Sequence, residues 1–314
     1  MKIVLLCIAF LTFSYAKEQI LIFHAGSLAV PFAKLAQAFE QHYPQYEVKR
    51  EISGSVVAAR KVTELGRAVD IVASADYEVI DRMLIPKHAK FNAYFATNEM
   101  VLAYTPSSKY AEKIDSHNWI DILLKKDVKI GHSNPNLDPC GYRTMFSVKL
   151  AEKFYQKDDL FTQLFGYGKH YKVGDEKRSK VVVRPKETDL LGLLEINAID
   201  YLFIYKSVAK QHQFDYIEFP SQLSLGDFDY ADTYATVSFD IALNAPNSYV
   251  TQIAKPMIYS LTIVENDKSP LNKEGAVKFV EFVLSDEGQA IITQNNQTAL
   301  NPPIIKGDGS VLNR

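Results

Sequence analysis

Two short steps in the N-terminal third share one pattern. Ala25-Gly26-Ser27 follows the apolar run 20–23, and Ser53-Gly54-Ser55 follows the alternating segment 46–52. Each places glycine and serine where a strand hands over to a helix. A helix start presents unpaired backbone N–H groups and a partial positive charge, so it holds oxyanions. Gly26 and Gly54 would let a ligand reach the backbone, and the Ser27 and Ser55 hydroxyls would add donors. Serine in either place is also an ordinary helix cap; the repetition is what makes an anion site worth naming.

A second set of candidates lies further on. Asp138 in "DPCGYR" precedes a helical pattern, where a carboxylate also answers the helix dipole. Pro139 suits a first helical turn, and Arg143 reads either as an anion clamp or as a surface arginine in an early turn. Glu187 in "RPKETDL" opens a helix over 187–195, with Asp189 two residues on competing for any role given to it. Tyr205 ends the apolar strand 200–205, where its hydroxyl either faces a strand–helix junction or sits satisfied in the core.

Hydrolytic chemistry is poorly supplied. His24 lies near Ser27, but no G-x-S-x-G elbow surrounds that serine. The 7 histidines show no H-x-x-x-H or H-E-x-x-H spacing, and neither a Walker A loop nor G-x-G-x-x-G occurs. Cys140, alone beside proline and glycine, reads as structural.

The elements that must position these residues alternate. Apolar run, helical pattern and apolar run recur through the first hundred residues, with helical faces at Phe32, Leu35, Ala36, Phe39 and Tyr43, then Val56, Ala59, Val62 and Leu65, closed by Gly66. Asp76 is the expected cap of a third helix. This β-α rhythm predicts an α/β fold with parallel or mixed sheets, whose ligands bind outside the carboxyl ends of strands. A strand at 99–104 starts a second set, containing a strand at 130–132, the helix after Asp138, a polar excursion over 166–180 and strands at 181–183 and 200–205. A strand at 257–264 and two amphipathic helices over 276–292 close the chain.

The chain has 314 residues with 35 Lys+Arg against 37 Asp+Glu, a formal charge of −2 that favours neither nucleic acid nor membrane surfaces. Lys2, the apolar stretch 3–13 and Ser14-Tyr15-Ala16 predict a secretory signal at residues 1–16. It is too short for an anchor, which needs about 20 apolar residues. Cys7 lies within it, so Cys140 would be the one cysteine left and no intramolecular disulfide would form.

The strings "FHAGSL", "ISGSVVAARKVTELGRAVDIVASADY", "SNPNLDPCGYR" and "DYLFIYKSVAKQH" resemble the molybdate/tungstate-binding proteins of ABC importers, in the archaeal-type branch. The terminal "VEFVLSDEGQAI" is similar to the closing helix of many solute-binding proteins. The order of elements predicts two α/β lobes with the chain crossing between them twice, near Met100 and Pro256. The resemblance implies that they form a periplasmic-binding-protein fold, with mixed sheets flanked by helices about a hinge. Lobe 1 would be 17–100 plus 257–314, and lobe 2 would be 101–256. It further implies that Ser27 and Ser55 donate to the oxyanion and that Asp138 and Glu187 complete a six-coordinate shell around the metal. Tyr205 would reach an oxo group, Cys140 would supply a main-chain donor, and Pro139, lacking an N–H, would shape the turn. Mo(VI) and W(VI) can expand their coordination to accept carboxylates; sulfate cannot, and would meet only repulsion.

An exported, non-catalytic monomer is expected, presenting tungstate or molybdate as ligand rather than cofactor to a membrane permease. Alternatives are a ferric-ion receptor using Tyr201 and Tyr205, and an exported hydrolase using Ser27 or Cys140.

Overall fold

The computed structural model describes residues 16–172, 180–243, 245 and 247–312. The signal peptide expected at 1–16 lies outside the described residues save Ala16, and so does 173–179 of the expected excursion.

Three parallel strands begin the chain: β1 (Glu18–Ala25), β2 (Tyr46–Ser53) and β3 (Ile71–Ser74). Their register sets Ala25 opposite Ser53 and His24 opposite Ala73, so three carboxyl ends lie side by side. A single 3₁₀ turn, Gly26–Leu28, leads into α1 (Ala29–His42); α2 (Ser55–Thr63) and α3 (Tyr77–Met83) follow the next two strands. Helix α1 buries Phe32, Leu35, Ala36 and Phe39, the three-and-four spacing of one helical face. Leu65 departs from the face assigned to it. The helix stops at Thr63, Gly66 turns the chain at φ +59°, and Leu65 is left 69% exposed.

After β4 (Phe91–Thr97) the chain crosses through Asn98 and Glu99 into a second sheet. That sheet holds β5 (Met100–Tyr104), β6 (Ile130–Ser133), β7 (Val181–Arg184), β8 (Tyr201–Tyr205) and β9 (Asp215–Glu218), in the order β7-β6-β8-β5-β9. Strand β6 is parallel to β7 and β8, whereas β5 is antiparallel to β8 and β9. Between strands lie α4 (Trp119–Leu123) and α5 (Pro139–Phe154), the latter buried on every side from Pro139 to Val148. The helix expected over 187–195 is a 3₁₀ turn, Glu187–Leu190, running into one α-helical turn, Leu191–Glu195. The described start of the polar excursion is exposed at Gly166, Gly168, Lys169 and Lys172 but anchored by two buried tyrosines. Tyr167 stacks on Phe165 at 5.5 Å, and both it and Tyr171 are buried beside His132.

A separate antiparallel hairpin, β10 (Ser238–Ala242) and β11 (Tyr249–Ile253), precedes the return crossing. Then β12 (Tyr259–Ile263) enters the first sheet between β3 and β4, antiparallel to both, and β13 (Thr298–Gly307) closes the edge beside β4. The helices Lys273–Leu284 and Asp286–Gln294 pack on α1, with Phe279 edge-on to Phe39 at 5.2 Å. Among the described residues no helix is long and apolar enough to cross a membrane.

Candidate functional site

The carboxyl ends of β1, β2 and β3 face the turns that follow β6, β7 and β8, and the candidate residues sit on those turns. Neither serine caps its helix. Ala25 and Gly54 occupy the cap positions without a side-chain bond, Ser27 lies inside the 3₁₀ turn, and Ser55 is the first residue of α2. Both hydroxyls are buried and already accept a hydrogen bond from the protein. The Ala75 N–H donates to Ser55 Oγ at 3.0 Å, and the Tyr259 hydroxyl donates to Ser27 Oγ at 3.0 Å. A hydroxyl that already accepts a hydrogen bond still has its own proton to offer a further acceptor.

Across from them stand the two carboxylates. Asp138 caps α5: its Oδ1 accepts from the Cys140 N–H at 3.4 Å and its Oδ2 from the Glu187 N–H at 3.0 Å. One carboxylate thereby ties the two turns of the second half together. Glu187 opens its 3₁₀ turn, and both its carboxylate oxygens are buried with no hydrogen-bond partner. Ser27 and Glu187 backbone N–H groups partly offset the burial without reaching bonding geometry. The close fit across the gap shows in the glycines. A Cβ placed on Gly26 would lie 2.7 Å from Glu187 Oε1, and one on Gly54 would lie 2.3 Å from the Leu137 carbonyl oxygen and 3.1 Å from Asp138 Cβ. Burial, and after it the neighbouring Asp138 charge, pushes the Glu187 carboxyl well above the usual range. Burial raises Asp138 too, against hydrogen bonds that hold it down. An ionised carboxylate buried without a partner is costly, and both groups are accordingly shifted toward the protonated form.

Arg143 is not a surface residue. It is 3% exposed, and its Nη1 donates to the Ala75 carbonyl at 2.7 Å and to the Tyr205 hydroxyl at 2.9 Å. Its Nη2 lies 3.6 Å from Asp76 Oδ2, which also accepts from the Tyr142 hydroxyl at 2.5 Å. Helix α5 of the second half is thus bonded to the β3–α3 junction of the first. Tyr205, fully buried at the end of β8, accepts from Arg143 and keeps its proton, and burial holds its pKa well above that of an ordinary phenol.

Other candidates are placed elsewhere or otherwise engaged. Asp189 is exposed and paired with Lys186. Tyr201 starts β8, roughly 13 Å along the strand from Tyr205 at 3.3 Å per residue, and donates to the Lys109 carbonyl at 2.5 Å. The tyrosine pair of the ferric alternative is therefore not assembled. Among the described residues no group of three or more His, Cys, Asp or Glu is placed to hold a metal ion. Pro139 is the first residue of α5; the Cys140 N–H is engaged by Asp138, and burial raises the Cys140 thiol well above its normal range. His24 is buried with Nδ1 on the Ala25 carbonyl at 2.8 Å, its pKa lowered by burial to about 4. It makes no bond to Ser27, so no serine–base pair forms there.

The sequence reading missed Asp76 as more than a cap, and missed Tyr142, Tyr259 and Asn98. Only Asp76 carried a signal, as the third strand–helix junction of the same half. A cavity of about 430 Å³ lies beside the site, between α2, α3 and the β10–β11 hairpin. Its rim groups are paired with one another, Arg82 with Glu78 at 3.1 Å and Arg82 with Gln252 at 2.6 Å, and its walls are apolar, which suits no oxyanion.

Comparison with known proteins agrees with this architecture. The family profile described as bacterial extracellular solute-binding protein matches residues 20–295. A solute-binding protein of Petrotoga mobilis is 50% identical over 285 residues, covering 91% of this chain and 85% of its own. The molybdate/tungstate-binding protein WtpA of Thermococcus kodakarensis is 42% identical over 311 residues, covering 94% of this chain and 86% of its own. Among solved structures, the periplasmic molybdate-binding protein of Azotobacter vinelandii shares the fold with a TM-score of 0.60 at 14% identity, over 89% of this chain and 98% of that one.

Proposed function

The chain belongs to the bacterial extracellular solute-binding proteins, and from that premise we propose that it captures molybdate or tungstate between two lobes and delivers it to the permease of an ABC importer. The observation that carries this reading is the Glu187 carboxylate, buried with both oxygens unpartnered, packed on Gly26 and tied to Asp138. When ionised, such a pair would repel a sulfate or phosphate dianion held on helix starts, which offers the carboxylates nothing to bind. Mo(VI) and W(VI) are electron-poor and can add two carboxylate oxygens to their four oxo groups. Ser27, Ser55 and Tyr205, each with a spare proton, would bond the oxo groups, and Gly26 and Gly54 would allow the close approach. Pro139 and Cys140 would form the turn beneath, with the Cys140 N–H serving Asp138 in place of the ligand. The name of the Thermococcus relative supports the ligand class.

Lobe 1 would comprise 17–100 and 257–314 and lobe 2 101–256, hinged where the chain crosses. We read residues 1–16 as a signal peptide, the mature protein as an exported monomer, and the site as non-catalytic, since the Ser27 hydroxyl is held by Tyr259 with no general base.

Isothermal titration of the anion-stripped protein with tungstate, molybdate and sulfate tests the reading, repeated on Asp138→Ala and Glu187→Ala. Tight binding of the two metal oxyanions, none of sulfate, and a loss of at least about a hundred-fold in each variant (roughly 3 kcal/mol) is the expected outcome. Comparable sulfate binding, or variants that bind like wild type, would make the pocket a four-coordinate oxyanion site and overturn the carboxylate assignment.

A further inference from the structure

Asn98 lies in the segment that carries the chain from β4 to β5, and its side chain holds groups from both halves. Its Oδ1 accepts from the backbone N–H of Glu99 at 2.9 Å and of Ser207 at 3.3 Å. Backbone N–H groups only donate, so these two bonds fix which way the amide faces. Its Nδ2 then donates to Ser207 Oγ at 2.7 Å and to the Tyr259 hydroxyl at 3.2 Å. Ser207 belongs to the helix Lys206–Gln211 that follows β8; Tyr259 is the first residue of β12 in the other sheet. Tyr259 accepts a hydrogen bond from Asn98 and donates its own to Ser27 Oγ at 3.0 Å. All four residues are buried, so no solvent competes for these bonds.

We infer that Asn98 and Tyr259 are positioning residues for oxyanion binding, a relay that runs from the crossing segment to Ser27 and turns the Ser27 proton toward the ligand. The inference rests on the reading of Ser27 as a ligand donor. Ser55 and Tyr205 also accept a hydrogen bond from the protein, from the Ala75 N–H and from Arg143. Only the Ser27 chain, among these three, passes through the segment that joins the halves. A change in how the halves meet moves Ser207 relative to Tyr259, and with them the donor that orients Ser27. Donors in series also polarise one another, so the last hydroxyl binds an anion more strongly than a free serine would.

A double-mutant cycle separates this role from simple packing. Tungstate is titrated calorimetrically into the full mature chain as wild type, Tyr259→Phe, Ser27→Ala and the double variant, each first shown to melt cooperatively. Tyr259→Phe removes one oxygen and is expected to weaken binding about ten-fold. In the Ser27→Ala background the same change should alter affinity by less than about two-fold, because nothing is left to orient. Losses that multiply would mean that Tyr259 only packs, and would overturn the relay while leaving the ligand assignment standing. Ser27→Ala binding like wild type would overturn it as well, and a wild-type chain that binds no tungstate would sink the proposed function and the relay together. Should Tyr259→Phe not fold, Asn98→Ala takes its place in the cycle with the same expected pattern.

Discussion

Gly26 and Gly54 stand at equivalent junctions yet face different obstacles. Neither needs a left-handed backbone; among the described glycines that conformation belongs to Gly66, Gly166 and Gly307. What they need is room. A methyl group on Gly54 would strike the Leu137 carbonyl, which is backbone and cannot swing aside, whereas one on Gly26 would strike the end of the Glu187 side chain. Overpacking of this kind costs about 1–3 kcal/mol. Gly54→Ala should therefore lower tungstate affinity about a hundred-fold and Gly26→Ala about ten-fold, measured by calorimetry with the far-ultraviolet circular dichroism unchanged. Small and equal losses would mean that the halves do not come this close when ligand is bound.

Helix α5 is bonded to the other half through Arg143 and Tyr142, which reach Ala75 and Asp76. Removing one partner from a buried pair strands the other charge, at a cost of about 3–5 kcal/mol. Arg143→Met should lower the free energy of urea unfolding toward that range, and Asp76→Asn added to it should recover part of the loss. If the double variant were weaker still, Asp76 would be acting mainly through its cap of α3 and the Tyr142 hydroxyl rather than through Arg143. Much of this element was legible beforehand, because a cap at Asp138 and proline at the first turn both have local signatures. The same holds for the Gly-Ser junctions and the Phe32–Phe39 face of α1. What could not be read was each partner across the gap. Arg143 pairs with a residue 67 positions earlier and Tyr259 with one 232 positions earlier, and no local spacing encodes such contacts. The 3₁₀ turn at Glu187 was missed for a related reason: its carboxylate suits any helix start, and only tertiary contact decides which kind forms. Leu65 fell two residues past the end of the helix, in the turn that Gly66 completes.

For the molecule as a whole, the buried titratable groups oppose one another in acid. His24, neutral when folded with its pKa near 4, ionises only on unfolding below its ordinary 6.5. Its contribution is complete above pH 6.5, is lost as pH falls toward 4, and costs about 1.4 kcal/mol per unit. Glu187 and Asp138 are raised, so the folded chain takes up these protons at higher pH than the unfolded chain does, and stability from them grows as pH falls toward the ordinary carboxyl range. The ligand-free protein should thus show a shallow pH dependence between 6.5 and 4, and Glu187→Gln should steepen the acid loss in urea titrations; an unchanged slope would show that Glu187 is ionised in the folded state. The order of strands carries a different consequence, one of timing. Strand β12 lies between β3 and β4, so the sheet begun at Glu18 cannot close until residue 263 has been synthesised. The second sheet, complete by Glu218, has all its strands earlier. The earliest strands to be made are therefore among the last to gain their full set of neighbours in the sheet.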